Sequence, residues 1–148
     1  MKTISMLFCY LIMIIDSTAI TPYLARKINK LVGNPFSLLV RLRMGGIGSH
    51  RMCVKGYSRG FENLLQRNSN LLYSNIELRP KGIIVHISQR NHRFSWVLPY
   101  YHLAVFQSEG FTLHGNGEFI RFHTDVYFYK NKAFFARIFK EKEAPNLI

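Results

Sequence analysis

The six histidines are the side chains of this sequence with the widest choice of chemistry. His86, His102, His114 and His123 each fall at a polar position in a strand-like alternation. Four imidazoles on one sheet face would suit a metal ion, but a zinc site usually draws its ligands from a compact spacing. Neither His-x-His nor His-x-x-x-His occurs, so exposed or hydrogen-bonded histidines are the expectation, and no metal or other cofactor is implied. Cys53 follows His50 by three positions. If Met52 and Val54 face inward on a strand, the thiol points the other way, and no base with an orienting carboxylate is identifiable. With only eight acids in 148 residues, hydrolysis by paired carboxylates has little material. No catalytic constellation emerges, and the expectation is a non-enzymatic protein.

Cationic chemistry is more conspicuous. The net charge is +12 and unevenly spread. Between Thr21 and Ile76 nine basic residues face a single acid, Glu62, whereas from Glu77 onward ten basic residues meet six acids. Such a field attracts nucleic acid, anionic lipid headgroups or an acidic protein partner. The plain alternative is a solvated surface whose charge prevents self-association. Arg51, Lys55, Tyr57 and Arg59 interleave cations with rings, as a base-stacking surface would. No recognised RNA-binding sheet motif accompanies them.

These residues need elements to position them. Thr21-Pro22 reads as an N-cap and first helical position, and Gly33 with Asn34-Pro35 as the stop. Between them Tyr23, Leu24, Ile28, Leu31 and Val32 form an apolar stripe. Arg26, Lys27 and Lys30 lie around the other face of this basic amphipathic helix. Phe36–Met44 reads as an extended segment, with Arg41 and Arg43 on one face and Leu42 on the other. Gly45-Gly46-Ile47-Gly48 lacks the Gly-Lys-Ser/Thr ending of a phosphate cradle and reads as a turn or close backbone crossing. Met52–Tyr57 reads as a strand, and residues 59–67 as a short helix with Phe61, Leu64 and Leu65 facing inward.

A ladder of alternating strands follows. Arg79-Pro80-Lys81-Gly82 and Gln89-Arg90-Asn91-His92 separate runs in which Ile83, Val85 and Ile87, then Phe94, Trp96 and Leu98, share one face. Gly115-Asn116-Gly117 signals a tight hairpin. A last helix starts near Asn131, burying Phe134, Phe135, Ile138 and Phe139 while Lys132, Arg137, Lys140 and Lys142 stay wet.

Residues 1–20 read as a separate apolar segment before a single α+β domain of residues 21–148. The run from Ile4 to Ile15 is short for a membrane span, which needs about 20 residues. It has the length of a signal-peptide core, and Ser17-Thr18-Ala19 offers small residues for cleavage. Arg26, Lys27 and Lys30 oppose translocation. A cleavable signal, a short anchor, a core element and a start codon assigned too far upstream all remain open. The residues before Cys9 are not those of a lipoprotein signal, and Cys9 with Cys53 makes no disulfide framework.

Successive antiparallel strands and one C-terminal helix with an aromatic stripe resemble the pleckstrin-homology-like barrels, above all their short bacterial forms. The stretches carrying the likeness are Lys81-Gly82-Ile83-Ile84-Val85 and Ser95-Trp96-Val97-Leu98-Pro99-Tyr100. The resemblance implies a barrel or strongly bent antiparallel sheet with its open end plugged by the last helix. From Tyr23 onward the chain also resembles small uncharacterised flavobacterial proteins. That likeness rests on Ala25-Arg26-Lys27-Ile28-Asn29, Gly33-Asn34-Pro35-Phe36, Gly45-Gly46-Ile47-Gly48, Asn75–Gly82 and Phe119-Ile120-Arg121-Phe122, and it brings no activity with it. Pleckstrin-homology domains often bind phosphoinositides through basic residues of their first hairpin, which implies Lys81, Arg90 and Arg93 here. Arg90 and Arg93 are three positions apart, not the usual two, so generic attraction to acidic headgroups is the expectation.

The anion-binding residues expected from all this are Arg26, Lys27, Lys30, Arg41, Arg43, Lys81, Arg90 and Arg93. The expected partner is an anionic lipid surface at the cell envelope. A nucleic acid, or a protein partner at a sheet edge, is the alternative, with a cytoplasmic location. The oligomeric state is open.

Overall fold

Eight strands, joined by hairpins and helical connections, form one antiparallel sheet in a computed structural model that describes residues 13–62, 64–65, 72–108 and 110–143. They are β1 (Met13–Asp16), β2 (Met52–Tyr57), β3 (Tyr73–Arg79), β4 (Gly82–Gln89), β5 (His92–Pro99), β6 (Ala104–Phe106), β7 (Phe111–Gly115) and β8 (Glu118–Phe122). Their order is β1-β5-β4-β3-β2-β8-β7-β6, so the sheet is not closed, and β1 and β6 are its edges among the described residues. Five α-helices and a short 3-10 turn (Tyr100–His102) complete this set: α1 (Pro22–Val32), α2 (Leu38–Met44), α3 (Arg59–Glu62), α4 (Val126–Tyr129) and α5 (Lys132–Glu143). The class is α+β, with an N-terminal amphipathic helix and a C-terminal helix as the sequence predicts.

The turns set the register. Arg79 pairs with Gly82 across the β3–β4 turn, and Gln89 with His92 across the β4–β5 turn. Asn116 and Gly117, with φ of 52° and 80°, make the β7–β8 turn in the left-handed region that a two-residue hairpin favours. Period-2 alternation then sends Ile76, Leu78, Ile83, Val85, Ile87, Trp96 and Leu98 to one buried face. There α5 adds Phe134, Phe135 and Ile138. The Phe135 ring lies 4.2 Å from that of Phe111, and Phe61 meets Trp96 edge-on at 5.4 Å.

A smaller core lies on the opposite face, where Ile28 and Val32 of α1 pack on Ile84 and Val97, flanked by Ile15 and Leu31. β4 and β5 are therefore buried on both faces, which explains why Ile83-Ile84-Val85 is apolar without a break. Gly82 lets α1 come close: a Cβ there would stand 2.6 Å from Val32 Cγ1 and 2.5 Å from the Leu98 carbonyl.

Several expectations need correction. Phe36–Met44 is not extended: Ser37 caps α2 by accepting from Val40 N, and Gly45 closes it with a left-handed φ of 76°. These two end signals outweigh the alternating pattern between them. Arg41 and Arg43 thus sit on a helix. Of residues 59–67, only the single turn α3 is helical among the described residues, and residues 63 and 66–67 lie outside them. Phe61 and Leu65 are buried, but Leu64 faces outward. Arg137 is not simply solvated, because its Nη1 donates to the Met44 and Gly46 carbonyls at 2.6 and 3.0 Å. Lys142 Nζ likewise reaches the Leu103 carbonyl at 2.6 Å. The sheet begins inside the apolar N-terminal segment, since Met13–Asp16 pairs with β5. Residues 1–12, Cys9 among them, lie outside the described residues.

Candidate functional site

The exposed face of α1 is built from its caps outward. Thr21 Oγ1 accepts from Leu24 N at 3.2 Å, and Pro22 supplies the fixed φ of a first helical position. At the other end the Gly33 N–H donates to the Asn29 carbonyl, and the Lys81 N–H to the Val32 carbonyl at 2.8 Å. With Ile28 and Val32 turned into the sheet, Arg26 and Lys30 are exposed and Lys27 is partly so. Tyr23, Arg26, Lys27, Asn29, Lys30 and Asn34 line an open concavity of about 700 Å³. Among the described residues its lining has three cations and no acid. Lys27 Nζ lies 4.8 Å from the centre of the Tyr23 ring, a cation–π contact that orders both side chains. Lys30 stands in the last turn of the helix, where a cation is favoured by the macrodipole.

The other expected anion-binding residues do not join this face as one site. Lys81 is exposed in the β3–β4 turn, next to the C-terminus of α1. Arg90, in the β4–β5 turn, and Arg93, at the start of β5, lie at the opposite end of this hairpin, which at about 3.4 Å per residue places them roughly 20–25 Å along the strands from Lys81. Arg90 borders a separate concavity that also contains Asp16. The Thr18 side chain and backbone hold the Asp16 carboxyl below its ordinary range, so a negative charge faces that space. Arg41 turns back on its own chain, its Nε donating to the Phe36 carbonyl at 2.9 Å. Arg43 is exposed on α2.

A polar seam crosses the sheet on the α1 side. Ser17 Oγ and Ser95 Oγ are 2.6 Å apart, and Ser95 Oγ is 2.8 Å from His86 Nδ1. His86 Nε2 is 3.1 Å from Glu77 Oε2, and Arg79 Nε donates to Glu77 Oε1 at 3.2 Å. Arg79 Nη1 then reaches Asn29 Oδ1 of α1 at 2.9 Å and the Gly33 carbonyl at 3.0 Å. Burial pushes the Glu77 carboxyl up. The hydrogen bond from His86 and the Arg79 charge outweigh this and hold it below the usual carboxylate range. Serine, histidine and glutamate in series are the residue types of a serine hydrolase. Here Ser95 is 1% exposed, and its Oγ already touches both His86 and Ser17. Sequence reasoning missed the seam. Counting back from the two turns places His86 opposite Ser95 and diagonal to Glu77, which was the available signal.

Elsewhere the chemistry is quieter. His50 is held through its backbone N–H by Asn131 Oδ1 at 2.7 Å. Burial raises the Cys53 thiol above its ordinary value, the Asp125 charge adds to this, and Arg51 opposes it. The Arg51 guanidinium stacks 4.0 Å over the Tyr73 ring. Among the described residues no three His, Cys, Asp or Glu side chains group as metal ligands, and no helix is long and apolar enough to cross a membrane. Comparison with protein-family models, with curated proteins and with solved structures finds no match to this chain.

Proposed function

We propose that this protein is a non-enzymatic interaction module that docks reversibly on an anionic membrane surface through the exposed face of α1. The observation that carries this is the open concavity on which the side chains of Arg26, Lys27 and Lys30 converge. About 1 kcal/mol per basic residue near an anionic surface gives these three, with Lys81 beside them, roughly 4 kcal/mol, enough for reversible association. The Ser17–Ser95–His86–Glu77–Arg79 seam serves in this reading as the brace that fixes β1 and α1 on the sheet. A buried serine oxygen with two partners is poorly placed to meet a substrate carbonyl. A meander of β2 to β5, a second meander of β6 to β8 and the packing of α5 on the main core support the pleckstrin-homology-like resemblance. That resemblance suits a surface-docking role.

Co-sedimentation of the full chain with anionic and with neutral vesicles, in the presence and absence of duplex DNA, tests the proposal. Binding to anionic vesicles only, persisting against the DNA, is expected. Failure to bind them, or complete displacement by DNA, would overturn it in favour of a protein partner or a nucleic acid respectively.

A further inference from the structure

α2 is amphipathic in the wrong direction for a helix packed on a sheet. Leu38, Leu39 and Leu42 are 73%, 69% and 71% exposed, while Val40, Arg41 and Met44 turn inward. At 100° per residue the three leucines occupy one continuous arc, with Arg43 on its flank. The helix is firmly seated all the same. Phe36 before it and Met44 at its end pack against the main core. Arg41 ties back to the Phe36 carbonyl, and Arg137 of α5 clamps the Met44 and Gly46 carbonyls. Three leucines held outward on an anchored helix are a preorganised apolar surface with no partner among the described residues.

We infer that α2 is a membrane-insertion wedge: Leu38, Leu39 and Leu42 enter the acyl boundary of an anionic bilayer while Arg43 stays at headgroup level. This rests on the reading of α1 as a membrane-docking face and deepens it. Charge complementarity selects the occupant. Between Thr21 and Arg59 there are eight basic residues and no acid, so the partner is anionic. A second copy of the chain would bring the same positive field against itself. Nucleic acid stacks on rings, and this arc offers only branched aliphatic side chains. Acyl chains accept leucine, and an interfacial helix with arginine at its polar margin is the arrangement such a boundary favours.

The test uses the full chain and vesicles of mixed phosphatidylserine and phosphatidylcholine. Replacing all three leucines by serine (Leu38→Ser, Leu39→Ser, Leu42→Ser) should weaken vesicle binding about 100-fold. What remains should vanish in high salt. In a separate variant, Leu39→Trp, emission should shift to shorter wavelength on binding and be quenched by brominated acyl chains. The native Trp96 is wholly buried and supplies a constant background. If the unaltered protein binds these vesicles but the introduced indole neither shifts nor quenches, and the triple variant binds equally well, the wedge is refuted while the α1 reading stands. If the unaltered protein does not bind at all, both fall. A dimer in solution that the triple variant abolishes would also refute the wedge, making this arc a self-association surface.

Discussion

α1 and α2 are neighbours in the chain, and both are rich in aliphatic and basic residues, yet they present opposite faces to solvent. α1 turns Ile28 and Val32 onto Ile84 and Val97 and leaves its cations outside. α2 turns Arg41 inward and leaves its leucines outside. Composition therefore does not decide which face is wet. α1 has a sheet face of matching apolar side chains across from it, and burial of that stripe sets its rotation. α2 is only 7 residues long, and its two ends are fixed by Phe36, Met44 and Arg137, so rotation is dictated by the anchors.

Charge reversal gives the largest expected contrast between the two helices. Arg26→Glu, Lys27→Glu and Lys30→Glu together remove three favourable charges and add three repulsive ones, roughly 6 kcal/mol near an anionic surface. Vesicle binding should become undetectable in a co-sedimentation assay, while thermal unfolding stays close to that of the unaltered protein because Arg26 and Lys30 are exposed. Retained binding would show that α2 acts without α1.

Stability separates the helices in the opposite sense. Ile28→Ala empties part of the smaller core and should cost about 3 kcal/mol in urea unfolding. Any one of the exposed leucines changed to serine should cost no more than ~0.5 kcal/mol. Comparable losses at the two helices would mean that α2 has a packing partner in solution.

A smaller effect than that of Ile28→Ala concerns the brace beneath α1. Glu77 titrates lower in the folded chain than its ordinary value of 4.5. Its contribution is thus present above that value and drains away as the pH falls through the depressed folded-state value. Glu77→Gln should cost about 1–2 kcal/mol at pH 7. The gap between variant and unaltered protein should narrow below pH 4.5, as followed by urea midpoints at successive pH values. A constant gap down to pH 3 would mean that the carboxylate charge is not what braces Arg79 and His86.

The strand ladder and its core were legible because local signals agreed there. Turn residues at Arg79–Gly82 and Asn116-Gly117 fixed register, and alternation then named Ile83, Val85, Ile87, Trp96 and Leu98 as buried. α1 was legible for the same reason, its caps and stripe pointing to one helix. Phe36–Met44 was misread because a short apolar stretch fits strand and helix alike, and the deciding groups, Ser37 and Gly45, lie at its ends. The face around Arg26, Lys27 and Lys30 followed from helical spacing, whereas Arg90 and Arg93 were expected from the resemblance of their hairpin and lie apart from that face. The polar seam joins residues as far apart as Ser17 and Ser95, and such long-range company is written only in the three-dimensional register.

The position of β2 bears on how the chain reaches this structure. It lies between β3, which follows it closely, and β8, which begins only at Glu118. Half of its hydrogen-bonding edge must therefore wait until nearly the whole sequence exists. On the ribosome the β3–β4–β5 meander can form early, but β2 keeps one edge unpaired until β8 has emerged. Pairing over that sequence distance adds a loop-closure cost that must be met before the β2–β8 contacts repay it, which slows folding relative to a chain of purely local pairings.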